Sequence, residues 1–394
     1  MSEKIGEMME ETLNTDDKEQ ERMNKRIRRG IAKTIYSKIF IFFLIISCLI
    51  YGGYNGYQNY LETNSFHLDD LELIIDRYNY QRNNYGKEQF EELENIKYYL
   101  NSYCEIFLPG YIVKYSGEDI EKEKNTHGVY KVPASFVNYF HVNPEKIYDS
   151  LYNYPSDEKI SIVDGKIELT QYQKVSTYGN DNFDSFWSSP QAYNEKIYYT
   201  DIQKEVHTYP DSAFIEMDLS FCEPMSLEDV LLMQVEYPDS RMVYAITHSY
   251  ELDHCWTTGI SLLFSNSLYC FTRKIEEKYP ELYMESSEGE DSVYNYPNQP
   301  SKWILRLKSE SSRKMYAEKL KKHYQSVLSL LLNNDVLEEN EKEGAEYVLQ
   351  DIQDNPVQVL GIRMFCTKED ALRLLEDERI EDMHIEDVKM SRFE

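Results

Sequence analysis

The densest group of side chains able to do chemistry lies between His248 and Cys255, in the sequence His-Ser-Tyr-Glu-Leu-Asp-His-Cys. It contains two imidazoles, two carboxylates and one thiol, and each of these groups can bind zinc. The segment continues a predicted strand, however, and successive side chains of a strand point to opposite faces. Neighbouring groups would therefore diverge, and we predict that this segment binds no metal.

A second group, Asn-Asp-Asn-Phe-Asp at residues 180–184, has oxygen atoms of the kind that bind calcium. It lacks the glycine and the distal glutamate of an EF-hand loop, and an Asx-rich turn accounts for the same residues. The sequence has no G-x-S-x-G, H-E-x-x-H, P-loop or G-x-G-x-x-G motif. With 70 acidic residues, no carboxylate pair stands out as a glycosidase site. We therefore predict a protein that is not an enzyme and needs no cofactor.

The cysteine pattern also argues against a metal or disulfide framework. Six cysteines are present, of which Cys48 lies in an apolar run and five follow it. Five is an odd number, and the sequence has no C-x-x-C pair, so a zinc ribbon or a disulfide-stapled fold is disfavoured. A single bridge between Cys255 and Cys270 remains open on spacing alone.

An uncharged apolar run beginning at Ile39 predicts a transmembrane helix. It extends through Tyr51 and a Gly/Tyr-rich stretch to Tyr57, about 19 residues in all, close to the ~20 that cross a bilayer core. Six bases lie just before the run, between Lys25 and Lys38, whereas Arg77 is the only base in the 20 residues after Tyr57. The positive-inside rule places the N-terminal tail in the cytoplasm and the rest outside. The six bases are Lys25, Arg26, Arg28, Arg29, Lys33 and Lys38.

Two alternatives to a plain anchor are considered. A cleaved signal peptide has a short basic region and small residues at the cut, but about 38 residues precede this run and no Ala-x-Ala follows it. The segment Ile45–Cys48 is similar to a bacterial lipoprotein box, which would lipidate Cys48. The apolar run continues past that cysteine, which favours a thiol inside a membrane helix.

The basic segment before the membrane has two interpretations. It is a topology determinant that contacts anionic lipid, or it is a docking site for an acidic partner. The candidate partner-binding residues are Arg26, Arg28 and Arg29.

Composition excludes nucleic acid as a partner. The net charge is −28, and the tail to Lys38 holds nine bases and eight acids, so nearly all of the negative charge belongs to the later residues. Such a surface repels phosphates and presents no basic footprint. An apolar content of 41% and an aromatic content of 14% indicate folded domains.

Hydrophobic periodicity and turn residues predict a mixture of helices and strands after the membrane segment. The sequence Asp164-Gly165 suits a type I′ turn between two strands, and Ser226 and Thr367 suit helix N-caps. Pro224 is expected to end the strand before the first cap. Predicted helices are 16–33, 66–80, 87–106, 226–233, 311–334, 341–352 and 367–375; predicted strands are 112–115, 129–132, 159–162, 166–170, 197–200, 213–221, 241–248, 357–365 and 383–390; predicted loops are 173–195 and 285–300.

These elements predict an α+β protein in four parts. They are a short cytoplasmic basic tail (1–38), a single transmembrane helix (39–57), an extracytoplasmic α+β domain of unknown type (58–205) and a second α+β domain (206–394).

The second of these α+β domains resembles a known family. The run Phe214 to Val230, Phe-Ile-Glu-Met-Asp-Leu-Ser-Phe-Cys-Glu-Pro-Met-Ser-Leu-Glu-Asp-Val, is similar to the opening of the sigma factor regulator C-terminal domain. The segment Val359 to Leu372 is similar to a later stretch of that domain. The tail and the single span match the family's N-terminal region. The resemblance implies a membrane protein that modulates an extracytoplasmic-function sigma factor.

We therefore predict a single-pass, non-enzymatic, anti-sigma-like regulator in the cell membrane. Its tail would contact a sigma factor or a small membrane partner, and its acidic outer region would sense or hold an envelope partner. An extracytoplasmic scaffold or envelope adaptor without a transcriptional role is the alternative. An extracytoplasmic hydrolase is a third class, for which no nucleophile and base can be named.

Overall fold

The protein is a mixed α+β molecule with two compact units, residues 1–65 and 66–394. The computed structural model describes residues 2–72, 87–108, 110–115, 120–123, 126–138, 159–168, 195–251, 255–262, 273–282 and 302–390. The predicted loop 285–300, the Asx-rich residues 180–184 and nearly all of the predicted loop 173–195 lie outside these ranges.

The first unit is a single helix, α1 (Ser2–Asn64). It contains the predicted helix 16–33 and the predicted membrane segment without interruption. The large apolar side chains from Ile39 to Tyr57 are exposed, except for the half-buried Ile46. This helix is long and apolar enough to span a membrane.

The second unit contains eight helices and eleven strands among the described residues. Its helices are α2 (Lys87–Phe107), α3 (Glu195–Thr208), α4 (Leu227–Glu236), α5 (Arg273–Lys278), α6 (Lys302–Leu307), α7 (Glu310–Asn333), α8 (Glu339–Asp354) and α9 (Lys368–Leu374). Its strands are β1 (Tyr111–Tyr115), β2 (Glu121–Lys122), β3 (Val129–Val132), β4 (Ala134–Asn138), β5 (Ile160–Val163), β6 (Lys166–Glu168), β7 (Phe214–Ser226), β8 (Arg241–Glu251), β9 (Cys255–Ser261), β10 (Gln358–Thr367) and β11 (Ile380–Lys389).

The largest sheet has the antiparallel order β11-β7-β10-β8-β9. Helix α4 connects β7 to β8, and helix α9 connects β10 to β11, so each connection skips over one strand. Two such interleaved β-α-β units form the ferredoxin-like topology. Strand β9 extends this sheet at the edge next to β8.

The two connecting helices start in the same way, which confirms both predicted caps. Ser226 Oγ accepts a hydrogen bond from the Asp229 backbone N–H at 3.1 Å. Thr367 Oγ1 accepts one from the Asp370 backbone N–H at 3.2 Å. A side-chain acceptor at this position satisfies one of the N–H groups that the first helical turn leaves unpaired.

Two smaller sheets complete the unit. One has the order β2-β3-β5-β6, and the other is the β1–β4 ribbon, a two-stranded antiparallel pair. Asp164 and Gly165 connect β5 to β6 with φ angles of 48° and 86°, which confirms the predicted turn. A side chain at position 165 would also crowd the ring of Phe66, 3.1 Å from the position of its Cβ.

The core of the second unit joins segments that are far apart in sequence. Ile96, Leu100 and Tyr103 of α2 are buried on one side of the helix, while the side chains of Phe90 and Leu93 lie outside the described residues. The Tyr103 hydroxyl donates to Glu341 Oε1 of α8 at 2.6 Å. The predicted domain division at residue 205 falls within α3 and stays a prediction.

Three local predictions are corrected. Residues 197–200 belong to α3 rather than to a strand. Their β-branched and aromatic side chains favour strands, but α3 buries Ile202 and Val206, four residues apart, as a helix requires. Residues 68–70 form a 3₁₀ turn at the start of the helix predicted over 66–80, and 73–80 lie outside the described residues. Strand β7 continues past Pro224 to Ser226, because its pairing with β10 is irregular between residues 220 and 225.

Candidate functional site

The candidate residues Arg26, Arg28 and Arg29 lie on α1 and are exposed. At 100° per residue, Arg26 and Arg29 share one side of the helix, and Arg28 lies on another. The Arg26 side also carries Arg22, Lys25 and Lys33. The opposite side carries large apolar residues at intervals of four, all exposed: Met23, Ile27, Ile31 and Ile35.

The segment His248 to Cys255, for which the sequence predicts no metal site, is only partly described by the structure. His248 lies on β8, and its Nε2 is 3.0 Å from Asp351 Oδ2 of α8. Residues 252–254 lie outside the described residues, and the described residues contain no group of three metal-ligand side chains.

His248 also contacts a hydroxyl, since its Nδ1 is 2.9 Å from Thr247 Oγ1. Hydroxyl, imidazole and carboxylate are the components of a nucleophilic triad. Thr247 is buried, however, and its Oγ1 also lies 2.9 Å from the Tyr324 hydroxyl. Burial lowers the pKa of His248, against the opposing effect of Asp351. This arrangement presents no nucleophile to a substrate, and it connects the sheet to helices α7 and α8.

The structure shows the state of four of the six cysteines. Cys104 and Cys366 are buried free thiols, and Cys48 and Cys222 are exposed free thiols. Burial raises the pKa of Cys104 and Cys366 above the ordinary range, which makes both thiols inert. The alternative bridge from Cys255 to Cys270 involves a residue outside the described ranges.

The most unusual chemistry of the second unit is a buried ionic cluster on the sheet, which we call the carboxyl cluster. Its members are Glu216 and Asp218 of β7, Arg363 of β10 and Glu386 of β11. Asp218 is 0% exposed, Glu216 is 1% exposed and Arg363 is 5% exposed. Charges so deeply buried persist only when they are paired and hydrogen-bonded.

The pairing register of β10 with β7 brings the charged side chains of the cluster together. Arg363 is directly opposite Asp218 across the β10–β7 pair, so both side chains lie on the same face. The guanidinium donates from Nε to Asp218 Oδ1 at 2.8 Å and from Nη2 to Asp218 Oδ2 at 2.7 Å. This two-point contact is the strong form of an Arg–carboxylate pair.

The other two carboxyl groups are less well satisfied. Glu386 Oε1 is 3.2 Å from Arg363 Nη2, but it has no hydrogen-bond partner among the described residues. Glu216 Oε1 is 3.7 Å from Arg363 Nη1. Glu386 is the extra residue of a β-bulge, because Ile385 pairs with Met217 and Asp387 pairs with Glu216.

The β1–β4 ribbon covers this face of the sheet. Asn138 of β4 donates from Nδ2 to both oxygens of Glu216, at 3.2 and 3.0 Å. Gly110, just before β1, has a φ of +76°, and a Cβ there would lie 3.1 Å from Arg363 Cδ. Only glycine combines that backbone conformation with so close an approach.

The pKa values of the cluster reflect this crowding. Burial raises the pKa of Glu216 to about 7, against the opposing effects of Arg363 and Asn138. Burial, followed by the charge of Asp218, raises the pKa of Glu386 to about 8. Burial disfavours the Arg363 cation, but Asp218 more than compensates and holds its pKa above the ordinary range. Near neutral pH these values leave Glu386 mostly protonated and Glu216 about half protonated, beside the Arg363 cation.

Sequence reasoning missed this cluster. The alternation of β7 predicts a half-buried strand, with Glu216 and Asp218 facing water. The structure buries both faces of residues 214–219. The one available signal is an arginine in the otherwise apolar run Val359 to Phe365, where an unpaired cation would be costly.

No family model, no curated protein and no solved structure matches this chain.

Proposed function

We propose that this protein is a single-pass, non-enzymatic membrane regulator of an extracytoplasmic-function sigma factor. Its N-terminal tail would lie in the cytoplasm, and residues from about 58 onward would lie outside. The observation that carries the proposal is helix α1, in which an exposed basic segment runs directly into an exposed apolar segment of membrane-spanning length. The orientation is supported by the six bases before the apolar segment.

The sigma factor as partner rests on the resemblance of residues 214–230 and 359–372 to the sigma factor regulator C-terminal domain. The distribution of apolar and basic side chains around the tail helix supports binding to a protein partner. A helix with apolar residues spaced by four and a basic opposite side can insert its apolar side into a groove bordered by carboxylates. In this proposal Arg26 and Arg29 contact the acidic border of the partner.

The experiment uses the full-length protein in its native membrane. Two triple variants are compared at Arg26, Arg28 and Arg29, one with alanine and one with lysine. The lysine variant retains the positive charge that sets topology, so it is the matched control. We expect the alanine variant to lose a captured sigma factor and to change transcription from that factor's promoters, while the lysine variant retains both.

A variant lacking residues 1–30 tests whether the tail is needed at all, whichever of its side chains make the contact. If transcription and the captured proteins are unchanged by this deletion, the regulator proposal is wrong. Capture of envelope proteins alone, unaffected by the deletion, would indicate the scaffold alternative.

A further inference from the structure

We propose that the carboxyl cluster is a proton-binding site, and that its bound protons hold the β1–β4 ribbon against the five-stranded sheet. This inference goes beyond the proposed function, because it concerns residues 66–394 whatever the tail binds. The site would make the second unit responsive to the proton concentration of its compartment.

Charge counting supports this assignment. Three carboxyl groups, Glu216, Asp218 and Glu386, face the single guanidinium of Arg363. The Arg363 guanidinium donates two hydrogen bonds to Asp218, and this pair has no net charge. If the other two carboxyl groups were also ionised, two buried negative charges would remain uncompensated, and burying them would cost several kcal/mol per ion. Protonation removes that cost.

Among the residues that the structure describes, the groups around the cluster do not supply a second cation. His384 Nε2 is 3.7 Å from Glu386 Oε1, but burial lowers the pKa of His384, so it is neutral near pH 7. The Tyr111 hydroxyl of β1 is also neutral, since burial raises its pKa to about 12. The titratable and polar groups that act on the cluster are Glu216 and Asp218 on β7, Arg363 on β10, Asp382, His384, Glu386 and Asp387 on β11, Tyr111 on β1, Asn138 on β4, Cys104 on α2 and Glu205 on α3.

The proton on Glu386 has a defined acceptor. Protonated Glu386 can donate a hydrogen bond to Asp218, a contact that two ionised carboxylates cannot make. Protonated Glu216 lies beneath Asn138, which donates to both of its oxygens. Asn138 favours the ionised form of Glu216 and partly offsets the effect of burial on its pKa. Glu216 therefore releases its proton before Glu386.

The ribbon is the element that must respond. Loss of both protons leaves uncompensated charge beneath Gly110 and Asn138, and that charge can be relieved only by admitting water. Water enters if the β1–β4 ribbon separates from the sheet. The sign follows from linkage: between the ordinary carboxyl pKa of 4.5 and about 7 to 8, the closed state binds more protons than the open state. Raising the pH in this range therefore favours opening.

The first measurement is the infrared absorption of protonated carboxyl groups in full-length protein in lipid nanodiscs. We expect two carboxyl groups that are protonated at pH 6 and titrate with midpoints near 7 and 8. Glu216→Gln and Glu386→Gln should each remove one of them. Glu223→Gln is the matched control, because Glu223 is exposed on the same strand β7.

The second measurement is hydrogen exchange of the amides of residues 111–115 and 134–138, corrected for the intrinsic pH dependence of exchange. As the pH rises from 5 to 7, Glu216 and Glu386 should each increase the equilibrium constant for opening of the ribbon by up to about tenfold per pH unit. The Glu216→Gln, Glu386→Gln double variant should lose this pH dependence, and Glu223→Gln should keep it.

Two results would overturn the inference. One is the finding that all carboxyl groups of the wild-type protein are ionised at pH 6. This measurement does not depend on the folding of any variant. The other is pH-dependent opening of the ribbon that persists in the double variant. Neither result bears on the tail, so both are distinguishable from failure of the proposed function.

Discussion

At the residue scale, Arg363 determines whether the buried face of the five-stranded sheet is stable. Its guanidinium is the cation that neutralises Asp218, and it also approaches Glu216 and Glu386. A buried ion pair contributes little more to the free energy of unfolding than two well-packed apolar residues would in its place. Removing only one partner is costly, however, because the other charge stays buried without a counterion.

We therefore expect Arg363→Met to be severely destabilising. The free energy of unfolding at pH 7 should fall by about 3–5 kcal/mol, because Asp218 would keep a buried charge without a cation. Lys314→Met is the matched control, since Lys314 pairs with Glu310 at a site where both side chains are exposed, and it should leave the free energy of unfolding nearly unchanged. Denaturant titration of both variants measures the difference, and equal losses would contradict the assigned role.

A second buried ion pair links α2 to α7. His323 Nε2 lies 2.7 Å from Glu105 Oε1, and its Nδ1 lies 2.7 Å from the Glu281 carbonyl oxygen. Both neighbours are acceptors, and an imidazole can donate from both nitrogens only when it is protonated. Burial disfavours the charge, but Glu105 outweighs this effect and raises the pKa of His323.

The pH dependence of this pair has a defined sign. A histidine with a raised pKa contributes stability that is present below the ordinary value of 6.5 and is lost as pH rises through the folded value. We expect nuclear magnetic resonance titration to place the pKa of His323 above 6.5. In Glu105→Gln the pKa should fall, since burial is then opposed only by the smaller effects of Glu281. An unchanged pKa would show that Glu105 does not set the protonation state.

At the element scale, the sheet contains two strand–helix connections that begin with the same chemistry. The sequences Ser-Leu-Glu-Asp and Thr-Lys-Glu-Asp start α4 and α9, and both place acidic residues in the first turn, where they favour the helix dipole. The two helices thus start at equivalent points of two interleaved β-α-β units. Short local signals of this kind were predictable because a cap is made within four residues.

Removing either cap should have a moderate and equal effect. We expect Ser226→Ala and Thr367→Ala each to lower the free energy of unfolding by about 1 kcal/mol, because one backbone N–H of the first turn loses its acceptor. Ser226→Thr and Thr367→Ser retain the hydroxyl and serve as controls. Thermal unfolding of the four variants tests the expectation, which is wrong if the alanine and hydroxyl variants melt together.

At the scale of the whole molecule, charge is distributed unequally between the two units. Residues 1–38 have nine bases and eight acids, so the net charge of −28 belongs almost entirely to the residues that follow. This asymmetry agrees with the proposed orientation, since the bases that precede the apolar segment favour the cytoplasmic side.

The orientation can be read from one cysteine. Cys222 is exposed on β7, whereas Cys104 and Cys366 are buried. We expect a membrane-impermeant maleimide to label wild-type protein in intact cells and to label Cys222→Ala less. A difference between the two proteins that appears only after the cells are opened would reverse the proposed topology.

The features that could be predicted from the sequence are those that neighbouring residues encode. These are the long apolar helix, the Asp164-Gly165 turn and the two capped helices, each of which depends on residues within a few positions of one another. The error at residues 197–200 shows the limit of local propensity, because those side chains suit a strand and tertiary packing selects a helix.

Only the tertiary structure decided the order of the strands and the burial of both faces of β7. The carboxyl cluster depends on a contact between Asp218 and Arg363, which are 145 residues apart, and the His323 pair joins residues 218 apart. Alternation along β7 indicates which residues share a face, but not which element covers it. Here the β1–β4 ribbon covers the polar face, so acidic side chains that would otherwise be hydrated are buried, and burial raises the pKa of Glu216.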